Sequence, residues 1–489
     1  MSNSSQTRVG SNALKLTAAK FITLGIGFVS SMLLSRFRSL TEYGTYSQML
    51  MAVSLVSTLF MLGLPNSLNY FLGKAKSDDE KSGFLSVYYS LSTVLSFLVG
   101  LILVVSIPLL ESYFKNDLIR TFWYFLATHP WTKVIMSGTE NLLIAYNKSN
   151  MLMLYKVLNS ISLLAIILFI QLIGGTFVQY MLLFLGVECF FTVWTYVFAK
   201  KYAKKLHFSL NKQLIKSIFK FSLPIGLASM VGTINIELDK LIITSMLSTE
   251  DLAIYTNASK ELPVSIIATS ITAVLLPQVV KLMHNDKNEE AVKLWKSATT
   301  ISFAIIAFVA IVCFVFAPEV IEVMYSAKYL PGVSVFRVYC IVLFTKCTYF
   351  GMMLNATGKT KFILYCSIGT LVLNLSLNYL FFTIFGFIGP AVATLLATTL
   401  MKILQLIHTS RMLQVPFSKV FPWKNCGLLI LFNGLCGAAM YFVKSFVESR
   451  FEINNVVCAI ALGVVWASLF ALIMFKPLKK QWTILNKER

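Results

Sequence analysis

Charge is what this sequence has little of. Of its 489 residues, 13% are Asp, Glu, Lys or Arg and 57% are hydrophobic, and the mean hydropathy is +0.75. A soluble domain carries about 25% charged residues. Too little polar surface is present to wet one here, so the bilayer is the solvent that fits. A soluble enzyme, a nucleic-acid-binding protein and a disordered chain are excluded on that ground. Acids are scarcer still, 21 Asp+Glu against 42 Lys+Arg. There are four histidines, and the eight cysteines lie in apolar stretches without a CxxC. Neither a disulfide framework nor a metal site is expected from them. Gly358-Lys359-Thr360 ends like a phosphate-binding loop, but Met353 stands where that motif needs its first glycine. No cofactor and no catalytic constellation is expected. The polar first 13 residues lack an apolar core with a small-residue cleavage site, so no cleaved signal peptide is expected.

Long apolar runs are abundant instead. Runs able to cross a hydrocarbon core of ~30 Å fall at 14–35, 44–66, 83–109, 119–144, 151–172, 176–199 and 217–246. Seven more fall at 251–279, 297–317, 333–356, 362–384, 387–407, 425–446 and 455–475. This predicts an all-α polytopic membrane protein of about 14 transmembrane helices. The longest polar connections, near 200–216, 280–296 and 408–424, leave no room for an ATP-binding domain. Basic residues in short loops mark the cytoplasmic side. With the N-terminus inside, 25 of them fall on that side and 7 outside, which puts both termini in the cytoplasm.

Ten basic residues remain within the spans: Lys15, Lys20, Lys133, Lys156, Lys220, Lys240, Lys260, Arg337, Lys346 and Lys402. Five acids share that zone: Glu140, Glu188, Glu237, Asp239 and Glu261. A charge at the centre of a membrane helix costs about 2.5–3.5 kcal/mol on insertion scales, so such groups pair, reach for the headgroups, or line a wet cavity. Lys15, Lys156, Lys220 and Lys402 lie near cytoplasmic helix ends and are expected to snorkel. Arg337 is set aside as facing away from Lys346. The deep set is Lys20, Lys133, Lys240, Lys260 and Lys346. The first span carries Lys20, Thr23, Gly27, Ser30 and Ser31. The fourth carries His129, Lys133, Ser137 and Glu140, and the seventh Ser222, Gly226, Ser229, Thr233, Glu237, Lys240 and Thr244. These spacings put each set on one helical face. Such a stripe cannot face lipid, and its charges point to a cavity. A net positive cavity favours an anionic passenger, and lysine is a point-charge binder of phosphate. His129, Glu140, Glu188, Glu237 and Asp239 are candidates for ion coupling or polar lining. Asp239 reads better as an interhelical partner, as does Glu188.

The chain looks doubled. Glu42-Tyr43-Gly44-Thr45-Tyr46 resembles Asp251-Leu252-Ala253-Ile254-Tyr255, and each precedes a span ending in Leu-Pro, at Leu64-Pro65 and Leu276-Pro277. Two six-helix bundles, 14–199 and 217–407, are expected as parallel repeats, joined by a cytoplasmic linker at 200–216. A second linker, 408–424, leads to two appended helices within 425–475, and the tails are 1–13 and 476–489.

Several stretches carry a family resemblance. They are Arg38-Ser39-Leu40-Thr41-Glu42-Tyr43-Gly44-Thr45-Tyr46, Gly63-Leu64-Pro65, Leu223-Pro224 with Asp239-Lys240, and Asn355-Ala356-Thr357-Gly358-Lys359-Thr360-Lys361. Another is Asn374 and Asn378 followed by Phe385-Gly386-Phe387-Ile388-Gly389-Pro390-Ala391. Over about residues 12–410 the chain resembles the polysaccharide-transport branch, with its Wzx-type O-antigen flippases, of the multidrug/oligosaccharidyl-lipid/polysaccharide exporter superfamily. The resemblance implies a V-shaped pair of bundles in a bacterial inner membrane. Such a protein moves polyprenyl-diphosphate-linked oligosaccharide outward by alternating access, for O-antigen, capsule or exopolysaccharide. It also implies a lipid-tail groove at the last two helices. Other polysaccharide-assembly membrane proteins are possible partners. Two rivals stay open. A polysaccharide polymerase or ligase would need a larger outer catalytic loop than 110–118, 318–332 or 447–454. A drug/cation antiporter would favour intramembrane acids over bases.

Overall fold

The structure is a computed structural model that describes residues 3–203, 206–452 and 454–487, with side chains from residue 19 to residue 485. Arg8, Lys15, Lys204, Lys205, Lys487 and Arg489, which entered the charge reading, lie outside the described side chains. The regular elements are helical, with no strand among the described residues. In order they are α1 (Asn3–Phe37), α2 (Leu40–Met61), α3 (Leu64–Lys74), α4 (Asp78–Val105), α5 (Ile107–Phe114), α6 (Leu118–Thr121) and α7 (Trp123–Ser137). There follow α8 (Thr139–Ala145), α9 (Ser149–Leu172), α10 (Phe177–Ala203), α11 (Lys212–Met246), α12 (Thr249–Ala258), α13 (Ile266–His284), α14 (Asn288–Val315) and α15 (Ala317–Tyr325). Then come α16 (Val333–Val342), α17 (Met352–Ala356), α18 (Thr360–Phe385), α19 (Gly389–Leu413), α20 (Phe417–Val420), α21 (Trp423–Arg450) and α22 (Asn455–Lys487).

Twelve stretches among the described residues are long and apolar enough to cross a membrane, against fourteen expected. Two places account for the difference. Thr360–Leu413 counts as one stretch of 54 residues, although Gly386 (φ +59°) turns α18 back onto α19 and the two helices pack together. The expected span 119–144 is interrupted at Phe122 and Gly138, so no part of it is a single long helix.

The two stretches whose likeness suggests a repeat begin their helices in the same way. At the start of α2, Ser39 accepts from the Glu42 amide and the Glu42 carboxylate accepts from the Ser39 amide. At the start of α12, Ser248 and Asp251 make the same reciprocal pair. Each box satisfies backbone donors that a helix N-terminus leaves open. The Leu-Pro pairs, by contrast, are not equivalent. Leu64-Pro65 begins α3 after a break, whereas Pro277 sits inside α13. The second-half break falls earlier, at 259–262, before a 3-10 turn at Pro263–Ser265.

Packing divides the chain into units ending and starting at Ala253 and Ile254. The division falls later than the expected linker because α11 packs with α2 and α3. Leu62 (φ 44°) and Gly63 (φ 73°) are both left-handed, and this kink lies against Ser222 and Gly226 of α11. A Cβ on Gly63 would stand 2.7 Å from the Gly226 nitrogen, and a Cβ on Gly226 would overlap the Leu62 backbone. Two residues of the expected polar stripe, Ser222 and Gly226, therefore serve close helix packing of the small-residue kind. Toward the other end of the same helix pair, Asn116 donates to Thr45 (2.8 Å) and Gln48 (2.7 Å), and Gln48 donates to Thr244 (3.0 Å), a buried polar knot joining α2 to α11.

The second unit has a longer interruption. The expected span 333–356 is α16, a 3-10 turn at Leu343–Lys346, an irregular stretch to Gly351, and α17. Side chains of α14 tie this stretch down, one at its backbone and two at a side chain. Ser302 donates to the Cys347 carbonyl, and both Trp295 (2.9 Å) and Thr299 (3.0 Å) donate to the Thr348 hydroxyl. Non-helical backbone at membrane depth survives only with such partners or beside water.

Gly226→Val should therefore cost about 1–3 kcal/mol, the usual range for overpacking. Gly25→Val and Gly27→Val, where a Cβ meets nothing within 4 Å, should leave the thermal midpoint of the detergent-purified protein unchanged. Equal midpoints for all three variants would contradict the close contact.

Candidate functional site

Within the first unit, α1 and α9 pack side by side and α8 packs on α9. Their charges converge on Glu140. Lys20 of α1 lies 3.2 Å from that carboxylate, and Lys156 of α9 pairs with its other oxygen. Lys156 is thus an ion-pair partner rather than the snorkelling residue expected. Because the helix is interrupted at Gly138, Glu140 is not on one continuous helical face with His129 and Lys133. His129 is buried, stacked on Phe125 at 4.6 Å between ring centres, with Thr132 Oγ1 at 3.2 Å from its Nδ1. Glu188 of α10 is buried, and the Asn159 amide of α9 donates to it at 3.4 Å. Asp239 is buried on α11. On the same helix, Lys240 donates to Glu237 at 2.8 Å.

Lys133 differs from these. It is half-buried on α7, and among the described residues no carboxylate approaches its ammonium within ion-pair distance. The Glu237 charge reaches it, but that carboxylate is already held by Lys240. His129 is its other titratable neighbour.

Within the second unit, Lys346 sits at the end of the 3-10 turn and pairs with Glu261 at 3.3 Å. Lys260 precedes Glu261 in the break between α12 and α13, and is half-buried. The wheel argument separating Arg337 from Lys346 does not apply, since the helix stops at Val342 between them. Arg337 instead donates to the Phe314 carbonyl at 3.2 Å. Lys444 is on α21 and pairs with Glu319 of α15 and Glu448. Lys402 of α19 was expected to snorkel. It is half-buried, its ammonium 5.8 Å from the centre of the Phe350 ring and close enough to Lys346 to feel its charge. A signal for it existed in the sequence: Thr394, Thr398, Lys402, Gln405 and Thr409 recur at steps of 4, 4, 3 and 4. Separately, an apolar groove of about 440 Å³ runs along α22, lined by Ile301, Phe470, Met474, Phe475 and Leu478, with Lys479 and Trp482 also on its wall.

The arrangement offers positive charge and hydrogen-bonding groups. The described residues contain no group of three or more His, Cys, Asp or Glu able to hold a metal ion.

The family model described as "Polysaccharide biosynthesis protein" matches residues 33–334. The chain belongs to the polysaccharide biosynthesis protein family. The match covers a narrower stretch than the resemblance read over 12–410. This polysaccharide biosynthesis protein is 23% identical over 184 residues to the capsular polysaccharide biosynthesis protein CapF of Staphylococcus aureus, covering 36% of this chain and 46% of that one. It is also 22% identical over 484 residues to the uncharacterized membrane protein MJ1068 of Methanocaldococcus jannaschii, covering 93% and 92% of the two chains. Its fold is shared with solved membrane transporters. The lipid II flippase MurJ in an inward closed conformation superposes with a TM-score of 0.75 at 16% identity, over 95% of this chain and 99% of that one. An inward-facing multidrug resistance MATE family transporter gives a TM-score of 0.65 at 16% identity, over 80% and 94%. The family, the all-helical architecture and the multi-pass membrane character read from sequence therefore stand.

Glu140→Gln leaves two lysines facing an uncharged amide. The thermal midpoint should fall, by somewhat less than the about 3–5 kcal/mol of a fully buried pair, because Glu140 is 31% exposed. Glu290→Gln, which breaks the exposed pair with Lys287, should change stability by no more than about 0.5 kcal/mol. Similar effects for the two would show that the Glu140 cluster is as solvated as the surface pair.

Proposed function

We propose that this protein is a flippase, not an enzyme, that carries a polyprenyl-diphosphate-linked oligosaccharide from the cytoplasmic to the outer leaflet of a bacterial inner membrane, for surface polysaccharide assembly. The observation that carries the reading is Lys133, a half-buried lysine in an expected membrane-crossing segment with no carboxylate in ion-pair reach among the described residues. Membership in a polysaccharide biosynthesis family supports it, as does the fold shared with a lipid II flippase.

The physical task is clear. A glycan headgroup cannot cross hydrocarbon unaided, because each hydroxyl stripped of water and left unpaired costs free energy. The diphosphate adds charge to that cost. In the first unit, Lys133 with Lys20 and Lys240 supplies the positive field, and in the second Lys260 and Lys346 do. Glu140 and Glu237 hold three of the first unit's lysines in place until an anion competes for them. Both termini lie in the cytoplasm, and the site turns outward by alternating access. The prenyl chain remains in lipid, and the groove along α22 is its resting place. Short connections leave no nucleotide-binding domain in the chain, so an ion gradient, the membrane potential or downstream consumption supplies the energy.

Lys133→Ala should cut surface polysaccharide at least about 10-fold, the loss expected for one charge-assisted contact to a phosphate, with protein in the membrane unchanged. Lys133→Arg should retain part of the activity. Full polymer with Lys133→Ala would overturn the reading.

A further inference from the structure

The mechanism above leaves Lys402 unused. Three segments meet around it within the second unit. The break between α12 and α13 supplies Glu261, the 3-10 turn after α16 supplies Lys346, and α19 supplies Lys402. Two of these three segments are unwound stretches of expected membrane spans. Unwound backbone at membrane depth lines cavities and binds ions and substrates, because its free amides and carbonyls face the cavity rather than the helix axis.

The charges do not balance. Glu261 pairs with Lys346 at 3.3 Å, both about half exposed. Among the described residues, no carboxylate lies within ion-pair distance of Lys402. Its neighbours are the face of Phe350, the thiols of Cys347 and Cys366, and the like charge of Lys346. A ring face at 5.8 Å offsets only part of an ammonium's lost hydration. Two lysines against one glutamate leave one positive charge, in a place where hydrocarbon makes an uncompensated charge costly. A structural ion-pair cluster would be neutral. A cluster built one anion short is a receptor.

Resting on the flippase reading, we propose that Lys346 and Lys402 form a diphosphate-binding site in the second unit, with Glu261 as the internal competitor that the ligand displaces from Lys346. A diphosphate suits this role because its several oxygens accept from two separate ammonium groups at once, and lysine binds phosphate as a point charge. Loss of Lys402 removes attraction, whereas loss of the Glu261 charge removes competition. The two changes must therefore act on affinity with opposite signs.

The test is equilibrium binding of farnesyl diphosphate to the full-length protein purified in detergent micelles, with farnesol as the uncharged control. The wild type should bind the diphosphate and not farnesol. Lys402→Gln should weaken binding roughly 10-fold or more, Lys402→Arg should stay within about 3-fold of wild type, and Glu261→Gln should tighten binding several-fold. A monodisperse elution profile for each variant guards against misfolding. Unchanged affinity for Lys402→Gln overturns the proposal, as does weakening by Glu261→Gln or no diphosphate binding by the wild type. The flippase reading fails separately. Opposite-signed binding effects in a protein whose deletion leaves surface polysaccharide intact would keep the site and discard the flippase. Unchanged binding beside lost polymer would do the reverse.

Discussion

Holding charge inside hydrocarbon is the constraint on which the rest of this molecule depends. Every ionised group within a span needs a counter-charge, a wet cavity or a route to the headgroups. The structure resolves most of its internal charges by pairing: Lys20 and Lys156 share Glu140, Lys240 holds Glu237, Lys346 holds Glu261, and Lys444 holds Glu319. Among the described residues, Lys133 and Lys402 are two that this pairing passes over, one in each unit. Paired lysines explain how the chain survives in the membrane.

The same solvent governs the backbone. A helix that stops inside a bilayer exposes amides and carbonyls with no water to take them. At 343–351 Ser302 of α14 donates to the Cys347 carbonyl, and Trp295 and Thr299 anchor the Thr348 hydroxyl beside it. At Leu62-Gly63 two left-handed residues turn the chain within a single step, and Gly226 gives it the clearance. Interruption is thus concentrated where close packing or donated hydrogen bonds allow it, and these places are also where the charged residues of the second unit gather.

Much of this was legible in the residues. Apolar run length gives helices in a membrane, and the likeness of 42–46 to 251–255 marks two helix starts, each of which carries a capping box. The interruptions were not legible in the same way. Leu64-Pro65 marks a break and Leu276-Pro277 does not, since a proline ends a helix only where its neighbours do not re-satisfy the freed carbonyl. The break at 343–351 depends on hydrogen bonds from residues some 45–53 positions away, which no local pattern encodes. The candidate site failed in part for the same reason. Helical faces placed Glu140 beside His129, and the interruption at Gly138 removed it. Distance from a helix end placed Lys402 and Lys156 at the headgroups, whereas tertiary neighbours Phe350 and Glu140 hold them.

Family membership and a fold shared with lipid and drug transporters leave the passenger's chemistry as the decisive question, and charge recognition answers it most directly. Purified protein reconstituted into vesicles should be offered two fluorescent prenyl-linked saccharides that differ only in carrying a diphosphate or a neutral ether at the linkage. Transbilayer movement is then followed by quenching from outside. The diphosphate-linked lipid should cross far faster than in protein-free vesicles, and the neutral one should not. Equal rates for both lipids, or no acceleration of the charged one, would contradict the assignment of these lysines to an anionic cargo.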